Sequence, residues 1–285
     1  MLNKIKKVLF KLYFLYILFI FSATATIALP QNNHLKFADA LQSNMIIQQS
    51  KPFNVWGFTY SNAKITIAAD WLKQPITVQA DILGAFNAYI DVPKAKKGDF
   101  AKHEISITSE GQTQTLNNLL IGDIWFASGQ SNMQFRMKEL ENSDKEINQA
   151  NFPNIRLLTV DFNYAGHPIQ NFKGHWEPLT PQSAKEFSAV GYFFAVKLYQ
   201  ELDIPTGIIY SGMGGSVAQA YVPRKELAAD ALLNKTYLSY FLSSVRAKQP
   251  IEGVFTWDRL ASPYLLYNAM IHPFINLSVK GILWY

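Results

Sequence analysis

The chain has 285 residues, 49% of them hydrophobic, 16% charged and none of them cysteine. It is long enough for one large domain or two ordinary ones and too apolar for disorder, and the lack of cysteine excludes disulfides, thiolate nucleophiles and Cys-ligated metals. The formal charge is +5, but four of the lysines behind it lie at the extreme N terminus, so no basic face remains to suggest nucleic acid.

Those four, Lys4, Lys6, Lys7 and Lys11, form a basic stretch ahead of an unbroken apolar run from Leu12 to Phe21. Small residues follow, and Ala23-Thr24-Ala25 fits a small-x-small cleavage site, with Ala28 as a second choice. Residues 1–25 therefore read as a signal peptide, with the mature chain starting near Thr26 or Leu29. The apolar run is short of the roughly 20 residues a membrane anchor needs. Cleavage takes the formal charge from +5 down by four to +1. The expectation is a secreted or periplasmic protein with no stable membrane insertion.

Residues 30–120 carry period-two patterns. Ile65, Ile67 and Ala69 alternate with polar neighbours, as do Ile76, Val78 and Ala80, and then Ile105 and Ile107. Turn signals at Ser61-Asn62, Leu83-Gly84, Lys97-Gly98-Asp99 and Glu110-Gly111 separate them. This spacing predicts an N-terminal antiparallel β-domain, sandwich-like in layout.

After Ile121-Gly122-Asp123 the texture changes. Ile124 to Ala127, Ile155 to Val160, Thr206 to Tyr210 and Lys280 to Tyr285 are short apolar runs, as expected of strands buried on both faces. Ser188 is placed to cap a helix whose Val190, Phe193, Phe194, Leu198 and Leu202 share one broad face, with Pro205 ending it. A second helix is predicted from about Arg224 to Ala247, with Leu232, Leu233, Tyr237, Tyr240 and Phe241 on its apolar side. Strand–helix alternation over residues 121–285 predicts a parallel α/β sheet.

The first of those runs leads into Ser128-Gly129-Gln130-Ser131-Asn132-Met133. Ser131 thus sits just beyond a strand's C-terminal end, the edge of an open α/β sheet at which ligands bind. A serine on a tight strand-to-helix turn presents its hydroxyl to solvent among backbone N–H groups able to stabilise an oxyanion. Gly-x-Ser alone is common, and by itself it reads equally as a polar turn. Ser211-Gly212-Met213-Gly214-Gly215-Ser216 follows a second strand end, and glycines there let a backbone N–H approach a reacting oxygen.

Gly122-Asp123-Ile124-Trp125 followed by Gly129-Gln130-Ser131-Asn132-Met133 resembles block I of the sialate O-acetylesterase family within the SGNH hydrolases. The resemblance continues in family order. It takes in Asn44 to Gln49 with Val55-Trp56-Gly57, Phe187 to Phe194, Pro205 to Ile209 with Gly214-Gly215-Ser216, and Leu266 to Pro273. It implies an SGNH-type α/β/α domain that removes O-acetyl groups from sialic acid or a related sugar without a cofactor. Ser131 would be the nucleophile and Gly215 an oxyanion donor, with Gly214 close behind. Gln130, Asn132 and Gly214 would border the substrate. An acetylxylan-type esterase and a non-catalytic carbohydrate-binding fragment are the alternatives. Gln134, Arg136, Phe86, Ser216 and Tyr221 depart from the family's usual residues, which puts substrate contacts in doubt more than fold.

A serine needs an adjacent base. In this family the base is the histidine of an Asp-x-x-His block, and no Asp-x-x-His occurs in these 285 residues. Trp284-Tyr285 resembles the opening of the family's block III. The expectation is a C-terminally truncated and inactive domain, with exposed apolar patches and an open strand edge where cover is missing. His34, His103, His167 and His175 read as structural or surface residues, and His272 as structural or as part of a sugar pocket. Asp123 reads as a strand-entry residue, and Asp161 has no histidine partner. No group of residues has metal-ligand spacing.

Overall fold

A computed structural model describes residues 35–251 and 256–285. The proposed signal peptide and His34 lie outside the described residues. In the N-terminal part, β1 (Lys36–Phe37), β2 (Ile46–Gln48), β3 (Phe53–Phe58), β4 (Lys64–Ala69), β5 (Ile76–Gln79), β6 (Ala85–Ile90) and β7 (His103–Ser109) follow in order. β4 and β7 lie where the alternation predicts, with Ile65, Ile67, Ile105 and Ile107 fully buried. Each such side chain contributes about 1.5–3 kcal/mol by leaving water. β1, β3 and β6 form a three-stranded antiparallel sheet, while β5, β4 and β7 join a larger one. Phe53, Val55, Phe86 and Ala88 share a buried cluster with Ile65, Ile67, Ile105 and Ile107.

The predicted domain boundary at residue 120 falls inside a single strand, β8 (Gln112–Ser128), which is 17 residues long. Its first half pairs antiparallel with β7, its middle pairs parallel with β2, and its last six residues belong to the parallel sheet. Buried Asp123 marks the change. It accepts hydrogen bonds from Gln48 Nε2 at 2.8 Å and Gln49 Nε2 at 3.1 Å, and Gln48 Oε1 accepts the Ile124 N–H at 2.9 Å.

The rest of the larger sheet comprises β9 (Phe152–Thr159), β10 (Trp176–Leu179), β11 (Thr206–Tyr210) and β12 (Gly281–Trp284). β12, β8, β11 and β9 run parallel as neighbours in that order, and β10 closes the β9 side antiparallel. Every residue of β11 is buried. β10 was not expected, because Pro178 interrupts its pattern; proline is tolerated there because the strand lies at an edge.

Ser188 caps helix α1 (Ala189–Leu202) as predicted, its Oγ accepting the Gly191 N–H at 3.1 Å. The helix ends at Asp203 in the left-handed conformation, two residues before Pro205. Its buried residues are Ala189, Gly191, Tyr192 and Ala195, whereas the expected face leaves Val190, Phe193 and Leu202 exposed. Small side chains set the closest approach to the sheet, and this outweighed the larger apolar stripe. The predicted helix from Arg224 to Ala247 is instead broken into short pieces beginning with Arg224–Ala229 and ending with Val245–Lys248. Asp230 restarts the chain by accepting the Leu232 and Leu233 N–H groups at 2.9 Å, and Ser244 accepts that of Ala247 at 3.3 Å. Leu227, Leu238 and Phe241 are buried there, while Leu232 is 72% exposed. No helix among the described residues is long and apolar enough to cross a membrane.

Candidate active site

β8 and β11 are direct parallel neighbours with Ala127 opposite Tyr210, so the turns that follow them leave the same end of the sheet. Ser131 opens the short helical turn Ser131–Gln134 and is exposed, as are Gln130 and Asn132. Several hydrogen bonds tie the two turns together. Ser211 N–H donates to Ala127 O at 2.9 Å, Met213 N–H to Gly129 O at 3.1 Å, and the buried Ser128 hydroxyl to Ser211 O at 2.6 Å. From the other side, Tyr285, which follows β12, accepts the Gln130 N–H at 2.9 Å.

Gly214 lies against the serine: a Cβ built on it would stand 3.6 Å from Ser131 Cβ. Its N–H already donates to Gln134 Oε1 at 2.7 Å. Gly215 has φ +78, and its N–H makes no hydrogen bond among the described residues. Gly214 thus lies beside Ser131, while the Gly215 N–H has no acceptor among the described residues.

No family model matches the chain. Curated proteins do. It is 26% identical to the sialate O-acetylesterases of Pongo abelii and Homo sapiens over 268 residues, covering 88% of this chain and 48% of each relative. It is 26% identical to that of Rattus norvegicus over 277 residues. Among solved structures, a carbohydrate acetylesterase from Xanthomonas citri superposes with TM-score 0.73 at 28% identity, over 88% of this chain and 51% of that one. The chain is a relative of the sialate O-acetylesterases.

The chain spans about half the length of the sialate O-acetylesterases it matches. Of the histidines, His103 pairs with Asp70 at 3.0 Å in the antiparallel region, and His272 Nδ1 lies 2.9 Å from Ile169 O. His272 lines a cavity of about 440 Å³ with His167, Tyr267 and Asn268. His167 and His175 are exposed. None of these four hydrogen-bonds Ser131. No group of three or more His, Asp or Glu among the described residues is arranged to hold a metal ion.

Gln134 and Tyr221 tie the two turns together. Gln134 accepts the Gly214 N–H with its carbonyl oxygen while its Nε2 lies 3.8 Å from Met213 Sδ, a donor–acceptor pairing an amide can make and a carboxylate cannot. Tyr221 is a buried hub. Its hydroxyl donates to Gly129 O at 3.2 Å, accepts the Met213 N–H at 3.1 Å and lies 3.0 Å from Ser216 Oγ, with Trp284 edge-on to its ring at 5.2 Å. Nothing in the local pattern marked this tyrosine as the link between the turns.

Burial pushes the Tyr221 phenol above its ordinary value, partly offset by its Ser216 and Met213 hydrogen bonds; burial also raises Tyr210, Tyr192 and Tyr264. The folded state therefore holds these protons more tightly than the unfolded state. The stability they contribute is fully present below the unfolded value of about 10 and is lost as pH rises through the folded values. The melting midpoint is expected to fall above about pH 10. Tyr221→Phe should lower stability at neutral pH by about 0.5–1.5 kcal/mol, by removing the hydroxyl's hydrogen bonds while Gly129 O keeps the Met213 N–H, and flatten the alkaline decline. Equal pH profiles for the two proteins would contradict this.

Proposed function

We propose that this protein is a carbohydrate O-acetylesterase domain of SGNH type, with a sandwich-like antiparallel region ahead of it, acting on acetyl esters of sialic acid or a related sugar. The observation that carries the reading is the exposed Ser131 at the C-terminal end of β8, with Gly214 beside it from the neighbouring strand. Ser131 Oγ would attack the acetyl carbonyl carbon, and the Ser131 and Gly215 N–H groups would hold the oxygen as it becomes negative. The carbonyl re-forms as the sugar oxygen leaves with a proton, and water then releases acetate from the acetyl-serine. Gln130 and Asn132 flank the nucleophile and are placed to meet the sugar. The serine's proton needs an acceptor, and none of the described histidines supplies one. The N-terminal basic and apolar stretches support export to the periplasm or exterior.

Comparing O-acetylated sialic acid with acetylxylan at long incubation tests the substrate assignment. Acetate released from the sialic acid in preference, and lost in Ser131→Ala, is the expected result; preferential release from acetylxylan would favour the polysaccharide esterase. Release from either substrate that survives Ser131→Ala would overturn the serine mechanism.

A further inference from the structure

We propose that the cleft at the Phe58 end of the β1–β3–β6 sheet is a second carbohydrate-binding site, one that takes a neutral glycan. A cavity of about 360 Å³ lies there, within the roughly 300–1,000 Å³ typical of small-molecule sites. Trp56 on β3 stands directly opposite Asn87 on β6, and Phe58 opposite Ala85. Cross-strand partners share a face, so Trp56, Phe58 and Asn87 line one surface, and Phe58 is 40% exposed. Gln170 and Asn171, from the segment between β9 and β10, and Asn276, ahead of β12, complete the lining.

The chemistry of this lining matches a sugar. The side chains of Asn87, Gln170, Asn171 and Asn276 make no hydrogen bond among the described residues. Each offers two N–H donors and a carbonyl acceptor, which suits hydroxyl groups that both donate and accept. Amides that serve the fold behave differently: Gln42, Gln48 and Asn268 are all hydrogen-bonded. Charge at the rim is balanced, with one Lys36 and one Asp39, so nothing there selects for an anion. The exposed Phe58 ring, with Lys36 Nζ 5.6 Å from its centroid, supplies apolar surface against which the C–H face of a pyranose packs once the flexible lysine moves aside.

This site shares no residue with the turns that carry Ser131, and it does not depend on the esterase reading. Isothermal titration of the 285-residue chain with xylohexaose and cellohexaose tests it. Binding of at least one, in the millimolar range or tighter, is expected, with the same Kd in Ser131→Ala. The double variant Asn87→Ala/Asn171→Ala, exposed at both positions, should weaken binding about tenfold through two lost hydrogen bonds, and Phe58→Ala should weaken it several-fold while circular dichroism stays unchanged. No binding of either sugar to the folded chain, or equal binding by all variants, would overturn the proposal. Tighter binding of sialyllactose than of both neutral sugars would overturn the neutral-glycan assignment.

Discussion

Replacing Gly129 with alanine is expected to destabilise the protein by about 2–4 kcal/mol, the largest single-residue effect anticipated at the site. Gly129 has φ +135, where an L side chain is strained, and a Cβ there would stand 2.1 Å from the Tyr285 carbonyl oxygen. Relief requires β12 to move away from β8, which breaks the Gln130 to Tyr285 hydrogen bond. Gly214→Ala provides the contrast. Its closest neighbour would be Gln134 Oε1 at 2.7 Å, the end of a flexible side chain, and its φ is not positive. Its cost should stay below about 1 kcal/mol while the added methyl intrudes beside Ser131. Urea unfolding of both variants measures the difference, and equal midpoints would contradict the packing described around Gly129.

The second large effect concerns turnover. On p-nitrophenyl acetate or O-acetylated sialic acid, the 285-residue chain is expected to work several powers of ten below a serine hydrolase whose nucleophile is hydrogen-bonded to a histidine base. General-base assistance contributes roughly 10²–10⁴ and, without it, binding and the oxyanion donors sustain only about 10³–10⁴ over water. Robust turnover abolished by Ser131→Ala would show that a base does reach the hydroxyl. His272→Ala would then be the first variant to assay, since that histidine precedes β12.

Much of this architecture was legible because burial on two faces leaves an unmistakable mark. The runs at Ile124, Ile155 and Thr206 became buried parallel strands, and Ile65, Ile67, Ile105 and Ile107 point inward as their alternation implied. The run at Lys280 became the fourth parallel strand but is not buried on both faces, with Ile282 and Trp284 exposed. Ser131 and the Gly214-Gly215 pair were legible as strand-end turns, and their adjacency follows from β8 and β11 being neighbours. What failed depended on tertiary choice. Helix α1 turned Ala189 and Ala195 to the sheet instead of Phe193, since close approach rewards small residues. The stretch after Arg224 broke where Asp230 and Ser244 could satisfy backbone N–H groups from their side chains. Tyr221 could not be read as a hub, because its partners, Gly129 and Met213, come from two separate strand ends.

The central claim is that Ser131 is an acyl-accepting nucleophile, and trapping the acyl-enzyme tests it most directly. With no described base to speed hydrolysis of the ester, a slow acetyl-enzyme should accumulate during long exposure to an activated acetyl ester. Tandem mass spectrometry of the digested protein is predicted to place one acetyl group on Ser131, with that peptide unmodified in Ser131→Ala. Acetyl groups found only on lysines and tyrosines, with Ser131 unmodified, would contradict the account.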